Sequence, residues 1–117
     1  MAQFLFQVAY TSESWSVQVR EHGNVLERIQ PLIDGCRGSV TCCFYAFGDD
    51  DLVLLADFPT DEEAAAFSLA ATAGGSVKKI KTTALLSIEQ GITAMKRADE
   101  VGRKYHPPVP ASAAHHA

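Results

Sequence analysis

Phe47-Gly48-Asp49-Asp50-Asp51-Leu52-Val53-Leu54-Leu55-Ala56-Asp57-Phe58-Pro59-Thr60-Asp61-Glu62-Glu63-Ala64-Ala65-Ala66-Phe67 is the stretch that decides the fold. It reads as a turn, a buried strand and a capped helix, in that order. Gly48-Asp49-Asp50 carries turn chemistry, because glycine and aspartate tolerate tight backbone and bond to it locally. Residues 51–58 are almost wholly apolar and are bounded by turn residues, the pattern of a buried strand. Thr60-Asp61-Glu62-Glu63 has the spacing of a capping box, with Pro59 just before it, so a helix opens there.

Working outward, residues 39–47 form a second strand that the 48–50 turn joins to 51–58 as a hairpin. Residues 3–10, rich in aromatic and apolar side chains, read as a strand. Residues 11–22 are polar with Trp15, Val17 and Val19 interspersed, and read as a loop or short irregular helix. Asn24 is the expected N-cap of a helix to about Ile33, with Val25, Leu26, Ile29 and Ile33 on one stripe and Pro31 introducing a kink. Gly35 and Gly38 end it. The helix opened at Thr60 runs to Ala73, where Gly74-Gly75 stop it. Residues 76–86 form a last strand, and a second capping box, Ser87-Ile88-Glu89-Gln90, opens a final helix to about Lys104. Lys96, Arg97, Arg103 and Lys104 suit the C-terminal end of that helix. The order βαββαβ plus a terminal helix predicts an α+β ferredoxin-like sandwich, an antiparallel sheet with helices on one face. Residues 1–105 make the domain, and 106–117 a flexible tail of proline, alanine and histidine.

The two central strands, 3–10 and 51–58, are apolar on both faces. Phe4, Phe6 and Val8 oppose Leu5 and Ala9; Leu52, Leu54, Ala56 and Phe58 oppose Val53 and Leu55. A sheet with one wet face alternates apolar with polar. The chain's own helices cover one face, so a second copy is the simplest cover for the other. Two sheets stacked in this way make a homodimeric α+β barrel. The helix at 60–73 has almost no charged side, which points to burial on more than one side. Lys78, Lys79 and Lys81 mark an edge strand, where lysine discourages further pairing.

Composition narrows the function. The 117 residues carry 10 Lys and Arg against 14 Asp and Glu, a net charge of −4. That argues against nucleic acid or an anionic membrane as partner. No apolar run reaches the ~20 residues of a spanning helix, and Met1–Phe6 lacks signal-peptide features, so a cytoplasmic location is expected. The three cysteines, Cys36, Cys42 and Cys43, have no framework or metal-ligand spacing and read as small apolar fillers. His22, His106, His115 and His116 show no zinc spacing. No nucleophile elbow or phosphate loop occurs, and no cofactor is expected.

Several pieces together are similar to the GYD domain family over about residues 3–98. They are Phe-Gly-x-x-Asp-Leu-Val at 47–53, Pro59 and Asp61, Ala-Ala-Ala-Phe-Ser-Leu-Ala at 64–70, Gly-Gly-x-Val-Lys at 74–78, and Lys-Thr-Thr at 81–83. The resemblance implies a ferredoxin-like fold that associates as a dimeric α+β barrel. Gly48 and Asp51 match the naming motif, while Asp50 stands at its tyrosine position. The resemblance brings no catalytic residues to transfer.

Candidate site residues follow from the strands. Asp57 lies in a central strand on the face of Val53 and Leu55, where a carboxylate needs a partner or a shifted pKa. Tyr10, Trp15, Tyr45 and Phe47 are placed to line the mouth of a barrel cavity, and Lys79 or Lys81 to hold an anion. The reading that results is a homo-oligomeric, cofactor-free small-molecule-binding or accessory protein. The alternative is a cofactor-independent enzyme of the oxygenase or isomerase kind, using Asp57 as acid or base. An RNA-binding role is weaker, because 51–58 lacks the basic and aromatic pattern of such sheets.

Overall fold

The first strand, β1 (Ala2–Tyr10), is held between two neighbours, as its two-faced apolar pattern requires. The computed structural model describes residues 1–108. Its four-stranded sheet also contains β2 (Ser39–Tyr45), β3 (Leu52–Phe58) and β4 (Val77–Leu85), in the order β2-β3-β1-β4, with every pairing antiparallel. The helices are α1 (Ser12–Glu21), α2 (Val25–Gly35), α3 (Asp61–Ala73) and α4 (Ile88–Gly102). The chain divides into two compact units, Met1–Leu85 and the residues from Leu86 onward. The first unit holds the whole ferredoxin-like α+β sandwich, with β1 and β3 at the centre of the sheet as expected.

The helix side of the sheet forms the core. Phe4, Phe6 and Val8 of β1 and Leu52, Leu54, Ala56 and Phe58 of β3 are buried, together with Val25 and Ile33 of α2 and Ala64 and Phe67 of α3. Four phenylalanine rings interlock at its centre. Phe6 meets Phe67 edge-on at 5.0 Å between centroids and Phe58 at 5.8 Å, the offset geometry that ring quadrupoles favour. Gly38 is required here. A Cβ at this position would stand 2.5 Å from the Phe58 ring, so the backbone approaches where no side chain fits.

Residues 11–22 are more regular than the sequence suggested: they form the ten-residue helix α1. Serine and β-branched valine disfavour helix interiors, but the ends compensate. The Thr11 hydroxyl accepts from the Ser14 N–H at 3.0 Å, and His22, in the left-handed region at φ 57°, donates its N–H to the Gln18 carbonyl at 2.9 Å. At Thr60 half of the expected capping box forms, the hydroxyl accepting from the Glu63 N–H at 3.2 Å. At Ser87 the box is complete. The final helix ends at Gly102, so Arg103 and Lys104 lie just past it rather than in its last turn. Val109 to Ala117, most of the tail read from the sequence, lie outside the described residues.

Helix α3 does not bury all of its apolar surface: Ala64 and Phe67 are buried, whereas Leu69 is 70% exposed. Within the second unit, Ile88, Ile92, Met95 and Val101 of α4 are exposed. Two surface ion pairs, Arg97 with Glu100 and Arg103 with Asp99, lie along the same helix segment. At such exposure they contribute little.

Candidate functional site

The site residues expected from the sequence fall on two sides of the sheet. On the open side, β1 presents Gln3, Leu5, Gln7 and Ala9, and β3 presents Val53, Leu55 and Asp57, all partly exposed. Strand pairing places Cys42 beside Leu55, Phe44 beside Val53, Thr83 beside Leu5 and Lys81 beside Gln7. An apolar centre of Leu5, Leu55, Val53 and Phe44 is thereby framed by polar ends. Asp57 sits at one end, in register with Gln3 and Ser39. Above it the Gln3 amide donates to the Thr41 hydroxyl at 3.2 Å, spanning β3. Thr41 is free to do so because β2 shifts register between Val40 and Cys42. Asp57 itself has no hydrogen-bonding side-chain partner among the described residues. Lys81 and Lys79 lie at the other end of the strands, exposed.

The motif acids act on backbone and on this face. The Asp51 carboxylate accepts from the Tyr10 N–H at 2.9 Å, and the Asp51 N–H donates to the Val8 carbonyl at 2.8 Å. Tyr10 lies where the β1–β4 register shifts after Ala9, so Asp51 satisfies a donor at an irregular point of the ladder. Asp50, at the tyrosine position of the motif, accepts from the Gln7 amide at 3.3 Å. A Cβ at Gly48 would meet nothing within 4 Å, so packing does not demand glycine there.

The aromatic candidates gather on the helix side. Tyr10 meets Trp15 edge-on at 5.5 Å, and Trp15 lies 6.4 Å from Tyr45. Trp15, Tyr45 and Phe47 line a shallow hollow with Val19 and His22, in which Phe47 is fully exposed. Tyr10 instead faces an apolar cavity of about 200 Å³ between the sheet, α2 and α3. Burial raises the pKa of Tyr10 above its ordinary value, and the adjacent Arg28 guanidinium partly offsets this. The fold therefore unites Tyr10 with Trp15 and Trp15 with Phe47, and it sets Asp57 and Lys81 on the opposite side of the sheet.

Two cysteines pack against the core, Cys36 and Cys43, while Cys42 turns to the open side. Burial raises the pKa of both Cys36 and Cys43, with Glu63 adding to the first and Cys42 to the second. A raised pKa keeps a thiol protonated, the unreactive form. Among the described residues no group of three or more histidine, cysteine, aspartate or glutamate side chains could hold a metal ion, and no helix is long and apolar enough to cross a membrane.

Sequence reasoning did not single out Arg28, Gln18 or Ser76, which sit around Tyr10. Arg28 occupies an exposed position on an amphipathic helix, where a charged residue is ordinary. Its neighbours come from α1 and from the segment before β4, so proximity is set by the fold.

These features define a ferredoxin-like sandwich with one covered and one open sheet face. The model of the GYD domain matches residues 4–95, and the chain belongs to that family. Among solved structures it is similar to FFRP-DM1, at 14% identity and a TM-score of 0.52 over 74% of this chain and 100% of that one. The structure of MtbAldR matches at 17% identity and a TM-score of 0.51, covering 74% of this chain and 52% of that one. The hypothetical protein PHS023 from Pyrococcus horikoshii matches at 14% identity and a TM-score of 0.51, covering 74% and 92%. The chain thus spans about half the length of MtbAldR. At such identities the likeness shows the fold. No curated protein matches the chain.

Proposed function

We propose that this GYD-domain protein is a homo-oligomer, at least a dimer, whose role is to bind a small molecule or to serve as an accessory protein without a cofactor. The observation that supports this most is the open sheet face. Leu5, Val53, Leu55 and Phe44 place apolar surface at its centre, with Phe44 64% exposed. Isolated apolar residues on a surface are ordinary, but a contiguous patch rimmed by polar groups marks an interaction site. A second copy is the occupant that fits. The face carries Asp57 at one end of the strands and Lys79 and Lys81 at the other. A two-fold axis running across the strands brings the acidic end of one sheet over the basic end of the other, a self-complementary contact. Stacked sheets of this kind form an α+β barrel and bury ~2,000 Å² or more where the association is obligate.

Native mass spectrometry of the protein from its own host reports stoichiometry and bound ligand together. A dimer or higher multiple carrying a non-covalent small molecule is the expected result. A monomer without one contradicts the proposal.

A second reading has one observation in its favour. Asp57 is half-buried without a side-chain partner among the described residues, and stacking would enclose it further, the setting in which carboxylates become acids or bases. On this reading the protein is an enzyme, and Asp57→Asn abolishes turnover while leaving the fold and the oligomer intact. An unchanged turnover removes Asp57 from the chemistry.

A further inference from the structure

We propose that the cavity beneath α2 and α3, entered past Tyr10 and Arg28, is a binding site for a small carboxylate with a compact branched or aromatic tail. The inference rests on the small-molecule-binding reading above and gives it a place and a ligand class.

The tail end of the site is the 200 Å³ cavity, walled by Val8 and Leu54 of the sheet, Ile29 and Leu32 of α2, and Phe67 and Ala71 of α3. Its walls are aliphatic and aromatic, so an unoccupied cavity leaves apolar surface without contacts, and an apolar group that enters recovers them. The volume is below the ~300 Å³ at which drug-sized sites begin, which sets a short tail.

The head end is a second hollow of about 220 Å³, lined by Ser14, Gln18 and Glu21 of α1 together with Tyr10, Arg28 and Ser76. Those last three also line the apolar cavity, so the two spaces adjoin across them. The first space is walled mainly by aliphatic and aromatic side chains, and the second sets Val17 among hydroxyl, amide and charged side chains, a gradient that suits an amphiphile.

Arg28 sets the sign of the head group. Its guanidinium donates to the Gln18 side-chain oxygen at 2.8 Å and lies against the Tyr10 hydroxyl. It has no carboxylate partner within ion-pair distance among the described residues. A guanidinium carries five donors in a planar fork that matches a carboxylate in two parallel bonds, and the contacts to Gln18 and Tyr10 leave donors over. Gly23 lies against it: a Cβ there would stand 3.3 Å from an Arg28 terminal nitrogen. The Tyr10 and Ser76 hydroxyls supply further donors at the junction. Glu21 lines the same hollow and repels any anion there, a dianion most, so a single carboxylate fits better than a phosphate.

The test uses the full chain and two probe pairs, phenylacetate with phenylacetamide and 4-methylpentanoate with its amide, titrated by calorimetry at millimolar concentration. The acids bind and the isosteric amides bind about tenfold or more weakly, a difference of about 1.4 kcal/mol. Arg28→Gln lowers binding of the acids far more than that of the amides and so removes most of that preference. Ala71→Leu fills the cavity and abolishes binding of all four, while its circular dichroism and melting temperature show it folded. Equal binding of acid and amide, both lost in Ala71→Leu, overturns the carboxylate assignment and leaves a ligand-binding protein. A host-derived ligand seen by native mass spectrometry that survives Ala71→Leu overturns the site and keeps the broader reading. Absence of any host ligand and of any probe binding overturns both.

Discussion

The two faces of one sheet are made from the same strands and have different fates. Toward the helices, alternate residues of β1 and β3 are buried among four packed phenylalanine rings. Away from them, the intervening residues Leu5, Ala9, Val53 and Leu55 are apolar too, yet remain partly exposed among the described residues. The first face explains why the fold is stable. The second shows that hydrophobic patterning in this chain exceeds what its own helices can cover in the unit Met1–Leu85.

The largest effect that separates the faces is expected at Phe6, which is fully buried. Phe6→Ala removes a ring from the centre of the core and should cost about 3–5 kcal/mol in chemical denaturation, independent of protein concentration. On the proposed assembly, the loss from Leu55→Ala on the open face grows on dilution. Equal, concentration-independent losses at both positions would erase the distinction.

Next in size is Gly38→Ala. The new methyl group meets the Phe58 ring and the Asp57 carbonyl at 2.5–3.0 Å, and overpacking of this kind costs about 1–3 kcal/mol. A thermal melt unchanged from wild type would mean that the segment relaxes freely. Asp51→Ala strips the acceptor from the Tyr10 N–H, and a partly buried donor left without one costs about 1–3 kcal/mol. Asp51→Asn retains an acceptor and should recover part of the loss. If alanine and asparagine are equally harmless, the motif aspartate does not hold β1 to the hairpin.

The smallest effect is alkaline. Tyr10, Cys36 and Cys43 have pKa values raised by burial above 10.0, 9.0 and 9.0 respectively. A raised folded-state value means that the folded protein keeps its proton longer than the unfolded chain does. The associated stability is therefore complete below the unfolded values and is lost as pH rises through the folded ones. Melting temperature should fall above about pH 9, and Tyr10→Phe should flatten the part above pH 10. A steeper fall in Tyr10→Phe would contradict the sign.

Much of the fold was legible because local signals agreed with the global arrangement. The hairpin around Gly48, the caps at Asn24, Thr60 and Ser87, and the two-faced strands all appear where the residues imply. Helix α1 was harder to see, since its serines and valines give weak propensity and its stability is set by the Thr11 and His22 ends. Of the site, the aromatic residues were visible, and so was the side of the sheet that Tyr10 takes. Tyr10 has the same parity along β1 as Phe4, Phe6 and Val8, so strand alternation already points it to the helix side, and the expectation of a barrel mouth weighed that count too little. The bond between Asp51 and Tyr10 joins positions 41 residues apart, a long-range contact that turn chemistry alone does not announce. Arg28 was hidden for the same reason, because the groups that make it notable come from other elements.

Sedimentation equilibrium on the wild-type chain and on Leu55→Glu, at micromolar concentration, tests the meaning of the open face most directly. The account predicts a dimer or higher oligomer for the wild type. It predicts a folded monomer for Leu55→Glu, since a glutamate at the centre of a stacked interface would be buried without a partner. A wild-type protein that sediments as a well-folded monomer, or a Leu55→Glu variant that associates as tightly as wild type, would contradict it.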